Sequence, residues 1–365
     1  MKNKKIMILL LVCITLFTTG CGNSNYLTDK KGKIVTDPTT GQSLQKEIYC
    51  RPSENTETFK LYKKYEKQLN TKLDKLPECD EFKINSNKTK SLWQLLFVKP
   101  LAYIILKLGA SLKHLGMTKA YLGVSLMIIG LLIRLIILPF NIKTQKQSQM
   151  MQKLQPEMAR IEKKYAGRND QESMMMKSQE TMALYQKYKV NPLSSCLIAL
   201  IQLPIFFAFL QAIYKIPTIY EGEIFGWNLG TTPSVGIFTN HQYSFIILLI
   251  LIILTTFFSF RYTMKNNPTS SAAGDAGNQM NTMLYVMTIF IAFASINLPT
   301  AIALYWIVSY AFVIAQTFIM NLIKKKKEEK EIFEKKGPKK SLRDDKKSIN
   351  DKLKMKEGMK YGKNK

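Results

Sequence analysis

The sequence predicts an all-α polytopic membrane protein with five transmembrane helices, a cytoplasmic helical hairpin and an interfacial amphipathic helix. Three observations lead there. Apolar residues are gathered into runs long enough to cross a bilayer. The 365-residue chain carries a formal charge of +27 at a mean hydropathy of −0.07, so very apolar stretches alternate with very basic ones. The basic residues also fall on alternate connections between the runs, as the positive-inside rule requires of a multi-pass protein.

From the N-terminus, Met1 to Lys5 holds three lysines and Ile6 to Phe17 is apolar, the pattern of a signal peptide over residues 1–20. The run closes on Thr18-Thr19-Gly20-Cys21, which resembles a lipobox with Cys21 as the lipidation site, although Thr18 stands where Leu is usual. Residues 21–90 read as a polar extracytoplasmic segment, with a turn at Pro38 to Gly41 and a charged helix from Glu54 to Leu76. Cys50 and Cys79 both fall in it. A disulfide is permitted on that side of the membrane, but spacing alone does not establish one.

Residues 91–118 alternate Trp93, Leu95, Leu96, Phe97, Leu101, Ile104 and Leu108 with Lys99, Lys107 and Lys113, as expected of an amphipathic helix lying in the membrane interface. Residues 119–323 form the core. Its spans are expected at 121–141, 193–214, 243–260, 280–296 and 298–323, each close to the ~20 residues that cover ~30 Å of hydrocarbon. The last two are separated by little more than Asn297-Leu298-Pro299.

Orientation follows from counts of Lys and Arg: ten over Lys143 to Lys189, one over Lys215 to Gln242, two over Arg261 to Asn278 and eighteen over Lys324 to Lys365. Those counts put 143–190 and the tail in the cytoplasm, and the mature N-terminus outside. Within 143–190, apolar and methionine positions recur at helical spacing on both sides of Ala166-Gly167-Arg168-Asn169-Asp170, which predicts two helices in a hairpin. The stripe of Met150, Met151, Leu154, Met158 and Ile161, then Met174, Met175, Met182, Leu184 and Tyr185, is expected to form the seam between them. The alternative is an adaptable surface for apolar clients. The tail 324–365, with eighteen basic and eight acidic residues, is expected to be disordered and to attract polyanions.

Polar residues inside the spans are the candidate site. Arg134 sits in Ile129 to Pro139 among apolar neighbours, where a charge costs ~2.5 to 3.5 kcal/mol on insertion scales. Snorkelling toward Asn141 is the plain alternative to a functional role. Gln202 interrupts the second span, and Ser309 and Gln316 the fifth. They either join Arg134 around a hydrated cavity or hydrogen-bond helix to helix. Two histidines, His114 and His241, stand without HExxH, CxxC or a nucleotide-binding glycine motif, so neither metal nor cofactor is expected.

The stretch Asn191-Pro192-Leu193-Ser194-Ser195-Cys196-Leu197-Ile198-Ala199-Leu200-Ile201-Gln202-Leu203-Pro204-Ile205-Phe206-Phe207 resembles the second-span motif of the YidC family of membrane protein insertases. An arginine in the first span followed by Leu-Pro, a Lys/Gln/Met-rich hairpin, and Leu304-Tyr305-Trp306 in the last span complete the likeness over about Ser91 to Ile323. The lipoprotein-like start resembles the Gram-positive form. The resemblance implies an insertase and chaperone, not an enzyme, that receives nascent membrane proteins in a cytoplasm-facing hydrophilic groove and releases apolar segments sideways into lipid. It implies Arg134, Gln202, Trp306 and Gln316 as groove residues. It further implies the general translocon as a partner beside membrane lipids, with the ribosome or anionic lipid meeting the tail. A small-solute transporter or channel is the alternative, for which no internal repeat is found. A membrane hydrolase lacks paired carboxylates or a Ser/His set.

Overall fold

A computed structural model describes residues 25–86, 89, 91–168, 170–190, 194–265 and 275–336. Cys13, Cys21 and the rest of the signal segment lie outside the described residues, as does the tail beyond Lys336. The chain divides into two compact units, Met1–Ile314 and Ala315–Lys365.

The first unit opens with a small folded segment on residues 25–86. Three short extended stretches pair through Leu27 N to Leu44 O (2.8 Å), Val35 N to Leu27 O (2.8 Å) and Leu44 N to Val35 O (3.0 Å). Helix α1, Glu57–Lys64, packs beside them. Thr56 caps it by accepting from the Phe59 N–H at 3.2 Å, which satisfies one of the donors a helix start leaves open. The expected helix over Glu54 to Leu76 is therefore much shorter. Beyond Tyr65 the side chains bond elsewhere: Gln68 brackets Thr28 with two hydrogen bonds and Glu66 accepts from Leu73 N–H. Leu27, Val35, Leu44, Ile48, Tyr62, Leu73 and Leu76 close an apolar core of its own, more than the lysine-rich composition suggests. Asp37 organises the adjacent turn, accepting from Thr39, Thr40 and Thr58. Cys50 and Cys79 are disulfide-bonded.

Next comes a π-helical turn, Gln94–Val98, running into α2, Lys99–His114. By length and composition Gln94–His114 could also cross a membrane, so hydropathy alone does not separate this helix from the spans. Its exposed apolar side chains are Leu95, Leu96, Phe97 and Ile104, with Leu92 just before it and Leu115 just after.

Helix α3 runs without interruption over Tyr121–Lys164, 44 residues, and so joins the first expected span to the first hairpin helix. Pro139 and Pro156 lie inside it. The Lys/Gln/Met-rich sequence after Asn141 consists of good helix formers, and that preference carries the helix past both prolines. Tyr165 ends it, and α4, Gln171–Lys187, returns with Asp170 as its cap.

The seam of this hairpin is not built on the methionines of that stripe. Leu154, Tyr165, Leu184 and Val190 are buried, whereas Met150, Met174, Met175 and Met182 are exposed. Tyr188 pairs with Glu157, and Glu180 with both Lys164 and Tyr165. The larger branched and aromatic side chains took the inward positions. Met158 does make a polar contact across the pair, accepting from the Tyr185 hydroxyl at 3.6 Å.

Helices α5 (Ser194–Tyr214), α7 (Ser244–Lys265), α8 (Asp275–Asn297) and α9 (Thr300–Lys336) occupy the other four expected span positions. Between α5 and α7 lie a two-stranded hairpin, β1 Glu223–Ile224 with β2 Trp227–Asn228, and the short α6, Pro233–Phe238. Among the described residues four helical stretches are long and apolar enough to cross a membrane: Gln94–His114, Tyr121–Gln147, Ser244–Thr263 and Thr300–Lys327. Two shorter apolar stretches are Gln202–Tyr214 and Thr288–Asn297. Basic residues from Lys324 to Lys336 continue α9 instead of starting a disordered tail; Lys and Glu are strong helix formers, and Lys327 and Glu331 stand four apart.

Side chains confirm the solvent. Leu126, Ile129, Phe209, Ile213, Phe245, Leu248, Ala301 and Tyr305 fill one core. Leu132, Leu135 and Ile136 on α3, Ile247, Ile250, Leu254 and Phe258 on α7, and Ile289, Phe290 and Phe293 on α8 point outward, each at least 40 % exposed. An apolar face on this scale is untenable in water and ordinary in lipid. The chain is a multi-pass membrane protein.

Candidate functional site

The folded segment 25–86 is fixed to the ends of the helices. Tyr49 N–H donates to Lys215 O at 2.9 Å, Gln42 Nε2 to Gly230 O at 2.6 Å, and Thr232 N–H to Thr40 O at 2.9 Å. Gly41, at φ +76°, leaves no room for a side chain: a Cβ there would sit 2.6 Å from Val235. The Lys215 ammonium pairs with Glu47 at 2.6 Å, and both groups are largely buried. Burial holds the Lys215 pKa below the usual lysine value, against the raising effect of the Glu47 carboxylate.

Toward the middle of the bundle the polar residues of the spans meet on three helices. Gln202 on α5 donates to the Tyr305 hydroxyl of α9 at 3.1 Å. The Tyr305 ring lies against Gly130 of α3, where a Cβ would approach it to 3.2 Å, so glycine lets the two helices close up. Four residues on, one turn, is Arg134. It is 8 % exposed, and its Nε has no hydrogen-bond partner among the described residues. Tyr310 lies within the electrostatic reach of its guanidinium and packs against Phe260 of α7, ring centroids 6.0 Å apart. Thr256 of α7, Ser309 of α9 and Asn141 of α3 each keep a buried oxygen without a partner among the described residues.

Buried polar groups without partners are rare in folded proteins. Here they fall on α3, α7 and α9, and no described carboxylate pairs with Arg134. Each can exchange a hydrogen bond with water or with the polar parts of another chain.

Of the four expected site residues, Arg134 and Gln202 are thus linked through Gly130 and Tyr305. Trp306 stacks on Phe206 of α5, centroids 5.7 Å apart and planes within 17°, and holds α5 to α9. Gln316 belongs to the second unit, where its carbonyl oxygen is buried without a partner among the described residues. Tyr305 and Tyr310 were not singled out as site residues from the sequence. The available signal was a phenol recurring inside an apolar run, which must find a polar neighbour when buried. Among the described residues no group of His, Cys, Asp and Glu could hold a metal ion.

Comparison with known proteins places this arrangement. The model of the 60Kd inner membrane protein family matches residues 114–328. The membrane protein insertase YidC of Oceanobacillus iheyensis is 34 % identical over 230 residues, 63 % of this chain and 84 % of that protein. The membrane protein insertase MisCA of Bacillus subtilis is 36 % identical over 229 residues, 63 % of this chain and 79 % of that protein. A crystal structure of an active YidC insertase with its first transmembrane domain resolved is 25 % identical, with a TM-score of 0.44, over 64 % of this chain and 48 % of that one. Matched over most of its helical core, this chain belongs to the 60Kd inner membrane protein family, that of the YidC insertases.

Proposed function

We propose that the chain is a membrane protein insertase whose clients are nascent membrane proteins, received at Arg134 and released sideways into lipid without covalent chemistry. The observation that carries the reading is Arg134 itself, a buried guanidinium whose Nε has no hydrogen-bond partner among the described residues, one turn from the Gly130–Tyr305 contact and its Gln202 hydrogen bond.

The physical logic concerns the client. A polar tail crossing hydrocarbon leaves charges and backbone groups unsatisfied, each at a cost of several kcal/mol. Open donors and acceptors within the bundle lower that barrier, and Arg134 offers a counter-charge to an acidic residue in transit. Apolar client segments gain by moving on to lipid, past the outward-facing leucines and isoleucines of α3 and α7. Gln202 and Trp306 line this path as polar and aromatic contacts.

On this reading 143–190 and the C-terminus are cytoplasmic, segment 25–86 is outside, Gln94–His114 lies in the interface, and Cys21 carries a lipid anchor. The basic run from Lys324 onward meets the ribosome or anionic lipid, and the general translocon is a further partner. The test is a photoreactive amino acid at Gln202, exposed to ribosome-bound chains of a single-spanning membrane protein. Adducts at 202 well above those at Lys60, on the extracytoplasmic segment, support the proposal. Equal yields at both positions sink it.

A further inference from the structure

The connection between α5 and α7 carries a feature that insertion does not explain. Its β-hairpin turns on Phe225 and Gly226, at φ +53° and +81°. Two positive φ values in a two-residue turn are met by Asn-Gly at low cost and by a bulky aromatic only with strain. Phe225 is also 74 % exposed. Strain and exposure together mean that contacts within the described chain leave most of this side chain uncovered.

The tip is nevertheless rigidly placed. Ile224 is buried against Gly123 of α3, where a Cβ would meet it at 3.0 Å, and Glu223 N–H donates to Lys119 O at 3.2 Å. Trp227 backs Phe225 edge-on at 6.3 Å. Gly123 is the third residue of α3, so the hairpin is bolted within one turn of the end of a membrane-crossing helix. Beside it, in the turn from α2 to α3, Leu115 is 81 % and Met117 37 % exposed. The Lys119 ammonium stands at the rim, its side chain 80 % exposed and 3.8 Å from Glu223.

We propose that Phe225, with Leu115 and Met117, is an anchor inserted at the boundary between headgroups and acyl chains of the outer leaflet, and that Lys119 faces the lipid phosphates. Lipid is the occupant because the patch lies within one turn of the end of a membrane-crossing helix, and because aromatic and lysine side chains together match that boundary. The anchor fixes the height of the outer ends of α3 and α5 in the bilayer, and so the depth of Arg134. The outer-leaflet assignment rests on the topology given above.

The test places an environment-sensitive fluorescent amino acid at Phe225 or, for comparison, at Lys60, in the full chain. Right-side-out membrane vesicles are doped with lipid bearing a nitroxide near the headgroup end of its acyl chain. The expected result is severalfold stronger quenching by nitroxide lipid at 225 than at 60, and the reverse for external iodide. Relief of the lipid quenching by external ascorbate, which reduces outer-leaflet nitroxides, completes it. Iodide quenching at 225 equal to that at 60 overturns the anchor, and so does protection from both quenchers, which marks a protein contact. Lipid quenching that external ascorbate leaves intact overturns the outer-leaflet topology instead. Phe225→Asn, which suits the turn, checks that the chain folds without the ring: its melting temperature in detergent holds or rises.

Discussion

The buried pair Glu47–Lys215 makes an asymmetric prediction. One carboxylate serves more than one partner: it accepts from Lys215 at 2.6 Å and from Gln94 Nε2 at 2.8 Å, and its charge favours the ammonium of Lys99, which is 1 % exposed. Both ammoniums flank the Tyr49 ring, at 5.3 Å and 6.0 Å from its centroid. Glu47→Ala therefore strands the buried Lys215 ammonium and the Gln94 amide, and removes the charge that favours the Lys99 ammonium. Removing one partner of a buried pair costs about 3–5 kcal/mol, and the 20 % exposure of the Glu47 side chain points to the low end. Lys215→Met leaves Glu47 with Gln94 and the Lys99 charge, and costs roughly the 1.5–3 kcal/mol of one charged hydrogen bond. Thermal unfolding of the full chain in detergent reads the order: Glu47→Ala melts below Lys215→Met, and both below wild type. Burial depresses the Lys215 pKa from its usual 10.5. Between the depressed value and 10.5 the unfolded chain binds more protons than the native one, so stability rises with pH in that window. Glu47→Ala lowers the native pKa further and so extends the window to lower pH, its upper edge staying at 10.5. Lys215→Met melting at or below Glu47→Ala would refute the reasoning.

Three further outcomes are expected. The Cys50–Cys79 bond closes a loop with a sequence separation of 29, and replacing both cysteines by serine costs about 3–4 kcal/mol on the chain-entropy relation, read as a lower urea midpoint for segment 25–86. Leu154→Ala empties a seam position that is 1 % exposed; it loosens the α3–α4 hairpin by about 2–5 kcal/mol and speeds proteolysis there, whereas Met175→Ala, at an exposed position, stays within about 0.5 kcal/mol of wild type. Gly236→Ala drives a Cβ to 2.4 Å from the Phe245 ring, costs about 1–3 kcal/mol through overpacking, and is partly rescued in melting temperature by Phe245→Leu.

Much of the helical core was legible because length and apolarity of a run are local properties. Leu193 to Tyr214 was expected and Ser194–Tyr214 is found; Asn297-Leu298-Pro299 was expected to separate two helices and does. Two kinds of information were not local. Segment 25–86 owes its fold to pairs such as Gln68 with Thr28 and Gln42 with Gly230, 40 and 188 residues apart, which no window along the chain reveals. Periodicity placed methionines at the hairpin seam, but it cannot rank them against Leu154, Tyr165 and Leu184, which fill the same interior better. The first span and the hairpin were expected as separate elements, 121–141 and 143–190, yet the continuity of α3 from Tyr121 to Lys164 means that the Arg134 span and the first hairpin helix share one rod. At the site, Arg134 and Gln202 stood out as polar residues in apolar runs. The link between them did not, because it runs through a tyrosine on a third helix.

The most direct test is growth of insertase-depleted cells supplied with the wild-type gene or with Arg134→Ala, membrane levels being equal. Rescue by wild type and failure of Arg134→Ala is the result expected of an insertase that receives its clients at this guanidinium. Failure of the wild-type gene despite stable expression would contradict the proposed function, and full rescue by Arg134→Ala would contradict the role given to Arg134.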